Sequence, residues 1–266
     1  MKLFKKPLFV YISPNAQWDD VWLAFKLLFQ PWKWVYGNNP EKFSEEFKKY
    51  LGVKHAFAFD SGRTSLYAIL QSCNLKEGDD VLVQAFNCTA AVNPILWVGA
   101  NPVYVDIESD GYNMSPEDLE KKITQRSKVL IIQHTFGFPA KLDELLAIAK
   151  KHNLKVIEDV AHSLGAEFNG KKLGLPAVAS AKVGTFGDAA FFSFGRFKII
   201  SAVFAGAAVT NNKEIAANLK KFYDSSAYPA RYWIFQQLFH PVLLANTALI
   251  FQKFMKKFSL PLVETR

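Results

Sequence analysis

The chain predicts a three-layer α/β sandwich with a mostly parallel central sheet. Short apolar runs alternate with turns and amphipathic stretches at the spacing of βα units between His55 and Asp159. Two apolar runs also end in groups suited to chemistry. Lys-Val-Ile-Glu-Asp-Val-Ala-His (155–162) delivers Asp159 and His162, and Gly-Asp-Ala-Ala-Phe-Phe-Ser-Phe-Gly-Arg-Phe-Lys (187–198) delivers Ser193 and Lys198. In open α/β sheets, ligands sit beyond the carboxyl ends of the strands. An acid from one strand end and an amine from another therefore meet in one crevice. With 266 residues, 50% of them hydrophobic and 21% charged, the chain is long enough for one large core domain.

Residues 1–36 form an aromatic-rich helical segment in which Trp18, Trp22, Trp32 and Trp34 lie among Phe25, Leu27, Leu28 and Phe29. Asp19-Asp20 ahead of Val21-Trp22-Leu23 marks a helix start with acids in its first turn. The simpler expectation is a helix packed on the main domain or on a partner subunit. The alternative is a peripheral, amphipathic contact with a membrane surface, helped by Lys2, Lys5 and Lys6.

The main domain is expected over 37–225. Phe43, Phe47 and Tyr50 share one face of a helix from Glu41 to Tyr50, which Gly52 closes, and His55–Phe59 is a strand. Asp60–Ser65 then turns into a helix from Leu66 to Gln71. Amides at such a helix start, beside a glycine that permits close approach, suit a phosphate, so Gly62 and Arg63 are candidate binders. Gly78-Asp79-Asp80 turns into the strand Val81–Val83, and the loop after it carries Phe86 and Cys88. Ala90 to Trp97 reads as a helix bent or late in starting because of Pro94. Val103–Val105 is a strand, Ser115 caps a helix from Pro116 to Ile123, and Val129–Ile132 is a strand that runs on to His134. Leu142–His152 is a helix, and Val156–Ile157 belongs to the strand before Asp159. Strand-like runs at 181–184, 189–193 and 207–210 leave little room for helices, so a hairpin-like connection is expected there.

Residues 226–266 are expected to be a helical, apolar segment that covers the main domain or is itself covered by a further domain or second subunit. Its stretch from Tyr232 to Phe251 has the length of a bilayer crossing and is flanked by Arg231 and Lys253. Gln236, Gln237, His240, Pro241, Asn246 and Thr247 interrupt it, which argues against a span.

The net charge of +8 and an isoelectric point near 9.3 suit anionic small molecules, nucleic acid or a membrane surface alike. Nucleic acid is disfavoured because the positive residues are scattered, with no long basic run interleaved with stacking aromatics. Cys73 and Cys88 are too few for a disulfide framework and have no metal-ligand spacing, so a reducing cytoplasm and no metal are expected. Met1 to Ile12 lacks a small-residue cleavage site, which speaks against a signal peptide.

An acid, a hydroxyl and a lysine are the parts that hold pyridoxal 5′-phosphate, with the lysine bonding to its aldehyde and the buried acid pairing with its ring nitrogen. The series Glu158-Asp159-x-Ala161-His162, Gly187-Asp188 and Ser193-Phe194-x-x-x-Lys198 resembles the DegT/DnrJ/EryC1/StrS family of pyridoxal-phosphate sugar aminotransferases. The likeness runs in order, with matching spacing, from about Gly37 to Thr210. It implies the large domain of a fold-type I enzyme, with Lys198 as the catalytic amine and Asp159 at the ring nitrogen. Gly62 and Arg63 stand where the family has a Ser-Gly-Thr turn around the phosphate, to which Ser193 also donates. His162 lies near the ring hydroxyl or ring face. Cys88 occupies the place of a stacking aromatic and Phe86 lies two residues before it, so either covers the ring; Cys88 reads equally well as a small buried hydrophobe. His134 resembles a position near the cofactor edge but also reads as a hydrogen-bonded structural residue.

Lysine at position 198, where related sugar dehydratases have histidine, points to an aminotransferase. Partial burial and cations such as Arg196 are expected to keep that lysine neutral part of the time. The resemblance implies ping-pong transfer from an amino acid, glutamate in the family, to a nucleotide-linked keto-sugar for surface polysaccharide, by a cytoplasmic homodimer. The sequence departs from the family in two places. Only Gly206 stands in 199–207, where a glycine-rich turn is usual, and the chain ends at Arg266, where the family continues into a smaller domain, so a truncated small domain is expected. These departures leave open a non-catalytic cofactor- or partner-binding remnant, and the shared fold leaves open a pyridoxal enzyme of another reaction type.

Overall fold

A computed structural model describes residues 18–35, 37–174 and 186–243. The chain divides into two compact units, Asn38–Ser226 and Met1–Gly37 with Ala227–Arg266. The smaller unit contains α1 (Trp18–Leu28), a 3-10 turn at Pro31–Lys33 and helical residues 231–243. Among the described residues, no helix is long and apolar enough to cross a membrane.

In the larger unit, α2 (Asn39–Leu51) leads to β1 (His55–Phe59), α3 (Gly62–Ser72), β2 (Asp80–Gln84), α4 (Thr89–Trp97) and β3 (Asn101–Val105). Next come α5 (Pro116–Lys122), β4 (Ser127–Gln133), α6 (Leu142–Lys151) and β5 (Lys155–Asp159). A small hairpin of β6 (Glu167–Phe168) and β7 (Lys171–Lys172) precedes β8 (Ala189–Ser193), β9 (Gly206–Thr210) and α7 (Lys213–Ser225). Seven strands form one sheet in the order β1-β9-β8-β5-β4-β2-β3. Strand β9 runs antiparallel to both its neighbours, and every other pair in that sheet is parallel. The mostly parallel sheet and the local hairpin-like pairing thus match the sequence expectation.

Alternation along the strands builds the two faces. Val81, Val83, Val129, Ile131 and Ile157 point into one core with α3, α4 and α7. Leu82, Leu130, Ile132 and Val156 point into the other with α2, α5 and α6. Helices on both faces of one sheet make the three-layer sandwich.

Several boundaries differ from the sequence reading. Helix α3 starts at Gly62, four residues before the expected Leu66, because Ser61 caps it: its Oγ accepts the Thr64 N–H at 3.1 Å. Helix α4 begins at Thr89 and carries Pro94 within it, so the proline neither delays the start nor opens the helix. Strand β3 takes in Pro102, which an edge strand tolerates because a missing donor can face away from the sheet. Two elements were not anticipated. Asn169-Gly170, both with positive φ (49° and 72°), turns the β6–β7 hairpin, and Asn212 caps α7 by accepting the N–H groups of Glu214 and Ile215. The run expected at 181–184 lies outside the described residues, as does the part of the apolar stretch beyond 243.

Two glycines fix how the sheet meets its neighbours. Gly187 and Asp188 pin the start of β8. The Asp188 carboxylate accepts the Val156 N–H at 2.8 Å, and the Asp188 N–H returns a bond to the Val156 carbonyl at 2.8 Å. Thr210 Oγ1 donates to the Asp188 carbonyl at 2.6 Å. A Cβ on Gly187 would stand 2.9 Å from the Val156 carbonyl oxygen. At the other end, the backbone of Gly206 in β9 lies directly against that of Ser61 and Gly62, leaving no volume for a side chain.

Gly206→Ala is therefore expected to destabilise the protein by about 1–3 kcal/mol through overpacking against backbone that cannot swing aside. Gly111→Ala, where a Cβ meets only the Glu108 side chain at 3.6 Å, is expected to be neutral or stabilising by about 0.4–1 kcal/mol. Urea unfolding midpoints measure both, and equal effects for the two substitutions would contradict the close approach.

Candidate functional site

The carboxyl ends of β4, β5 and β8, the first turn of α3 and the loop after β2 surround a cavity of about 340 Å³. Gly62, Arg63, Phe86, Cys88, Asp159, His162, Ser193 and Lys198 all line it. Residues separated by as many as 136 positions thus share one space. Crossed by parallel strands, the sheet delivers its strand ends to one edge.

The floor carries an acid and an amine that are largely sheltered from solvent. Asp159 is only 6% exposed, and its Oδ1 accepts the Ala161 N–H at 2.9 Å. Burial pushes its carboxyl above the usual carboxylate range, opposed by the Ala161 hydrogen bond and then by Lys198 and His134. Lys198 comes from the turn after β8, where its N–H bonds to the Gly195 carbonyl at 3.0 Å. Burial lowers its pKa from the ordinary lysine value, while Asp159 and Cys88 pull it upward. Arg196, expected to help, is not among the groups that act on Lys198; its guanidinium lies 5.1 Å from the centre of the Phe204 ring.

The rim is aromatic. The rings of Phe86, Tyr112 and Phe136 stand 5.8–6.2 Å apart in a cluster, and the His162 imidazole lies parallel to Phe136 at 6.0 Å. His162 is held below its ordinary pKa by the shelter of the cavity and then by the Lys198 charge. Phe136 adopts a left-handed backbone (φ 54°), uncommon for a bulky side chain and a local strain carried beside the cavity. Cys88 is exposed at the N-cap of α4 and lines the cavity, which corrects the reading of it as a buried hydrophobe.

Asn87, Gln133, Thr135 and Phe136 also line the cavity and were not singled out from sequence. Gln133 and Gln84 both donate to Thr135 Oγ1, at 2.8 and 3.1 Å, and Gln84 Nε2 also reaches the carbonyls of Phe86 and Tyr112 at 2.8 Å. This network ties the loop after β2 to the end of β4. The available signal was a glutamine closing each of two apolar strands. Asn87 Oδ1 accepts the Cys88 N–H at 2.7 Å, while its buried Nδ2 has no partner among the described residues. His134 does not line the cavity. It is fully buried, and its Nδ1 accepts the Ala140 N–H at 3.1 Å, so Nε2 carries the proton to Glu158 Oε2 at 3.2 Å. Its role is the structural one.

The family model for the DegT/DnrJ/EryC1/StrS aminotransferases matches residues 24–238, spanning every cavity residue named above. The chain belongs to the DegT/DnrJ/EryC1/StrS aminotransferase family. Aminotransferases of this family depend on pyridoxal phosphate. GDP-perosamine synthase of Escherichia coli O157:H7 is 32% identical over 82% of this chain and 55% of its own length. The dTDP-3-amino-3,6-dideoxy-alpha-D-galactopyranose transaminase of Aneurinibacillus thermoaerophilus is 35% identical over 70% of this chain and 49% of its own. Among solved structures, Helicobacter pylori PseC, an aminotransferase involved in the biosynthesis of pseudoaminic acid, matches with a TM-score of 0.70 at 25% identity, covering 94% of this chain and 67% of that one. The chain spans about half the length of the curated relatives it matches.

The burial of Lys198 sets a pH dependence in this DegT-family site. A lowered pKa leaves more neutral amine at a given pH, so Lys198 is expected to react with an aldehyde reagent with an inflection below the ordinary lysine value of 10.5. Lys121, whose pKa Glu117 raises, has its inflection above that value. Asp159→Asn removes a charge that holds the Lys198 pKa up and so moves the Lys198 inflection lower. Labelling read by peptide mass mapping across pH measures this, and a Lys198 profile that coincides with that of Lys121 is the contrary result.

Proposed function

We propose that the protein is a pyridoxal-phosphate aminotransferase that moves an amino group from an amino acid, glutamate in the first instance, to a nucleotide-linked keto-sugar. The observation that carries this is the meeting of Lys198 and Asp159, an amine and a buried acid, in one cavity at the carboxyl edge of the sheet. The sugar-nucleotide names of relatives such as the perosamine synthase support the acceptor class.

The residues present fit the cofactor. A Cβ on Gly62 would stand 2.7 Å from the Ser193 Cβ, so the glycine keeps open a corner between the start of α3 and the end of β8. Ser61 takes the Thr64 N–H and Ser65 bonds back to Ser61, which leaves the Gly62 and Arg63 amides as first-turn donors with no intrahelical acceptor. Those amides, with the Ser193 hydroxyl, would hold the phosphate. Bound pyridoxal phosphate supplies an aldehyde that receives the amino group and a ring that draws electrons from the substrate carbon.

Each side chain then has a task. Asp159 would keep a proton on the ring nitrogen, its carboxylate offsetting a positive ring in a site that would penalise either charge alone. Lys198, whose pKa partial burial lowers, would remove a proton from the amino-acid α-carbon and return one to the sugar carbon. His162 and Phe86 or Cys88, which line the cavity, would flank the ring and exclude water from it. The reading includes a cytoplasmic homodimer that serves surface-polysaccharide synthesis.

Purified protein mixed with pyridoxal phosphate is expected to develop an absorbance band near the visible edge that Lys198→Ala lacks. Glutamate should then bleach the band with stoichiometric release of 2-oxoglutarate. Asp159→Asn is expected to slow that half-reaction by roughly 10²–10⁴-fold. A wild-type protein that binds the cofactor yet leaves glutamate untouched would contradict the glutamate assignment. One whose band survives in Lys198→Ala would contradict the site.

A further inference from the structure

The smaller unit presents two aromatic faces that the proposed chemistry does not use. Trp18, Trp22 and Phe25 on α1, with Phe29 in the turn just after it, recur at spacings of four, three and four, which places them along one side of the helix. Trp22 is 57% exposed and Phe29 67%. Their rings support one another, with Trp22 stacked on Phe25 at 5.4 Å and Phe25 edge-on to Phe29 at 5.2 Å. Ala24, the buried residue of α1, falls on the opposite side. Within 231–243, Tyr232, Phe235, Phe239 and Leu243 repeat the pattern, all exposed. Trp34 joins the two stretches: its indole N–H donates to the Leu27 carbonyl at 2.6 Å, and its ring lies 6.3 Å from Phe235.

Charge decides what such a surface fits. Met1–Gly37 with Ala227–Arg266 contains ten Lys and Arg against three Asp and Glu, and so holds +7 of the chain's +8. Asn38–Ser226 is left nearly neutral. On α1 itself, Lys26 lies over the Trp22 ring at 5.3 Å, and Asp19 and Asp20 are confined to the first turn, where they favour the helix. A second copy of the chain carries the same net positive charge in this unit, which opposes self-association. An anionic bilayer complements both properties, because indole and phenol rings settle at headgroup depth and lysines are drawn to acidic lipids.

We propose that the smaller unit docks the protein on an anionic lipid surface, through the aromatic face of α1 and that of residues 231–243. The docking lies in the plane of the interface, since no described helix has the length and apolarity of a span. It concerns where the protein works and stands apart from the reaction proposed above.

Flotation of the full chain with vesicles of phosphatidylcholine, with and without phosphatidylglycerol, tests this. Flotation with the anionic vesicles is expected, weakened roughly tenfold or more in high salt or with phosphatidylcholine alone. The double variant Trp22→Glu, Phe29→Glu, checked for folding by circular dichroism, is expected to stay at the bottom of the gradient. If that variant does not fold, Lys26→Glu with Lys33→Glu, which keeps the aromatics, is expected to lose the preference for anionic vesicles. Wild-type protein that ignores both vesicle types overturns the proposal, as does a folded variant that floats like wild type. Self-association through this face without vesicle binding assigns it to a second copy and overturns the proposal as well.

Discussion

The close approach of two backbones, Gly206 in β9 and Ser61-Gly62 at the start of α3, is the constraint on which the site depends. It lets the antiparallel β1–β9–β8 end of the sheet fold against the helix that begins between them, with β1 and β8 both pairing to β9 in continuous register. The first turn of α3 consequently stands beside Ser193, and a second glycine, Gly62, keeps the corner between them clear. Any side chain at either position would separate the amides of that turn from the strand ends. An open corner at a helix start is thus produced by packing, before any charged residue is considered.

Around that corner the protein buries charge where an apolar core would be more stable. Asp159 has its carboxyl pushed up and Lys198 its amine pushed down by the same cause, loss of water, and each partly relieves the other. A site that strains both ionised forms favours a bound group able to take up or give back a proton between them. The surrounding polar residues are by contrast bonded mostly to one another, although Gln84 Oε1, Asn87 Nδ2 and Glu158 Oε1 have no partner among the described residues. Gln84, Gln133 and Thr135 bond to one another and to the loop carbonyls, and the His134–Glu158 pair lies beneath them with a single tautomer enforced by Ala140. These groups hold the loops still and leave the chemistry to the cavity lining.

Much of this was legible in the sequence. Short apolar runs and their ends located the strands of the main sheet, and the motif from Glu158 to Lys198 placed the acid, the hydroxyl and the amine at or just after strand ends. What was hidden follows from long-range packing. The early start of α3 depends on the Ser61 cap, and Pro102 is admissible only because β3 turned out to be an edge. Phe136 and Asn87 sit in loops whose apolar or polar character says nothing about what they face; only the fold turns them to the cavity. The Gly187-Asp188 pair, which entered the sequence reading only through the family resemblance, is the clip that ties the start of β8 to β5 and β9. Arg196, two residues before Lys198, is not among the groups that shift its pKa, and its guanidinium lies over the Phe204 ring.

The account rests on an amine and an acid flanking one aromatic ring. A crystal structure of the protein soaked with pyridoxal phosphate measures this most directly. The account predicts the ring in the 340 Å³ cavity, the Asp159 carboxylate within hydrogen-bonding distance of its nitrogen, the Lys198 Nζ bonded to the carbon at its opposite edge, and the phosphate on the Gly62 and Arg63 amides. A ring held by another lysine, or one whose nitrogen faces away from Asp159, would contradict it.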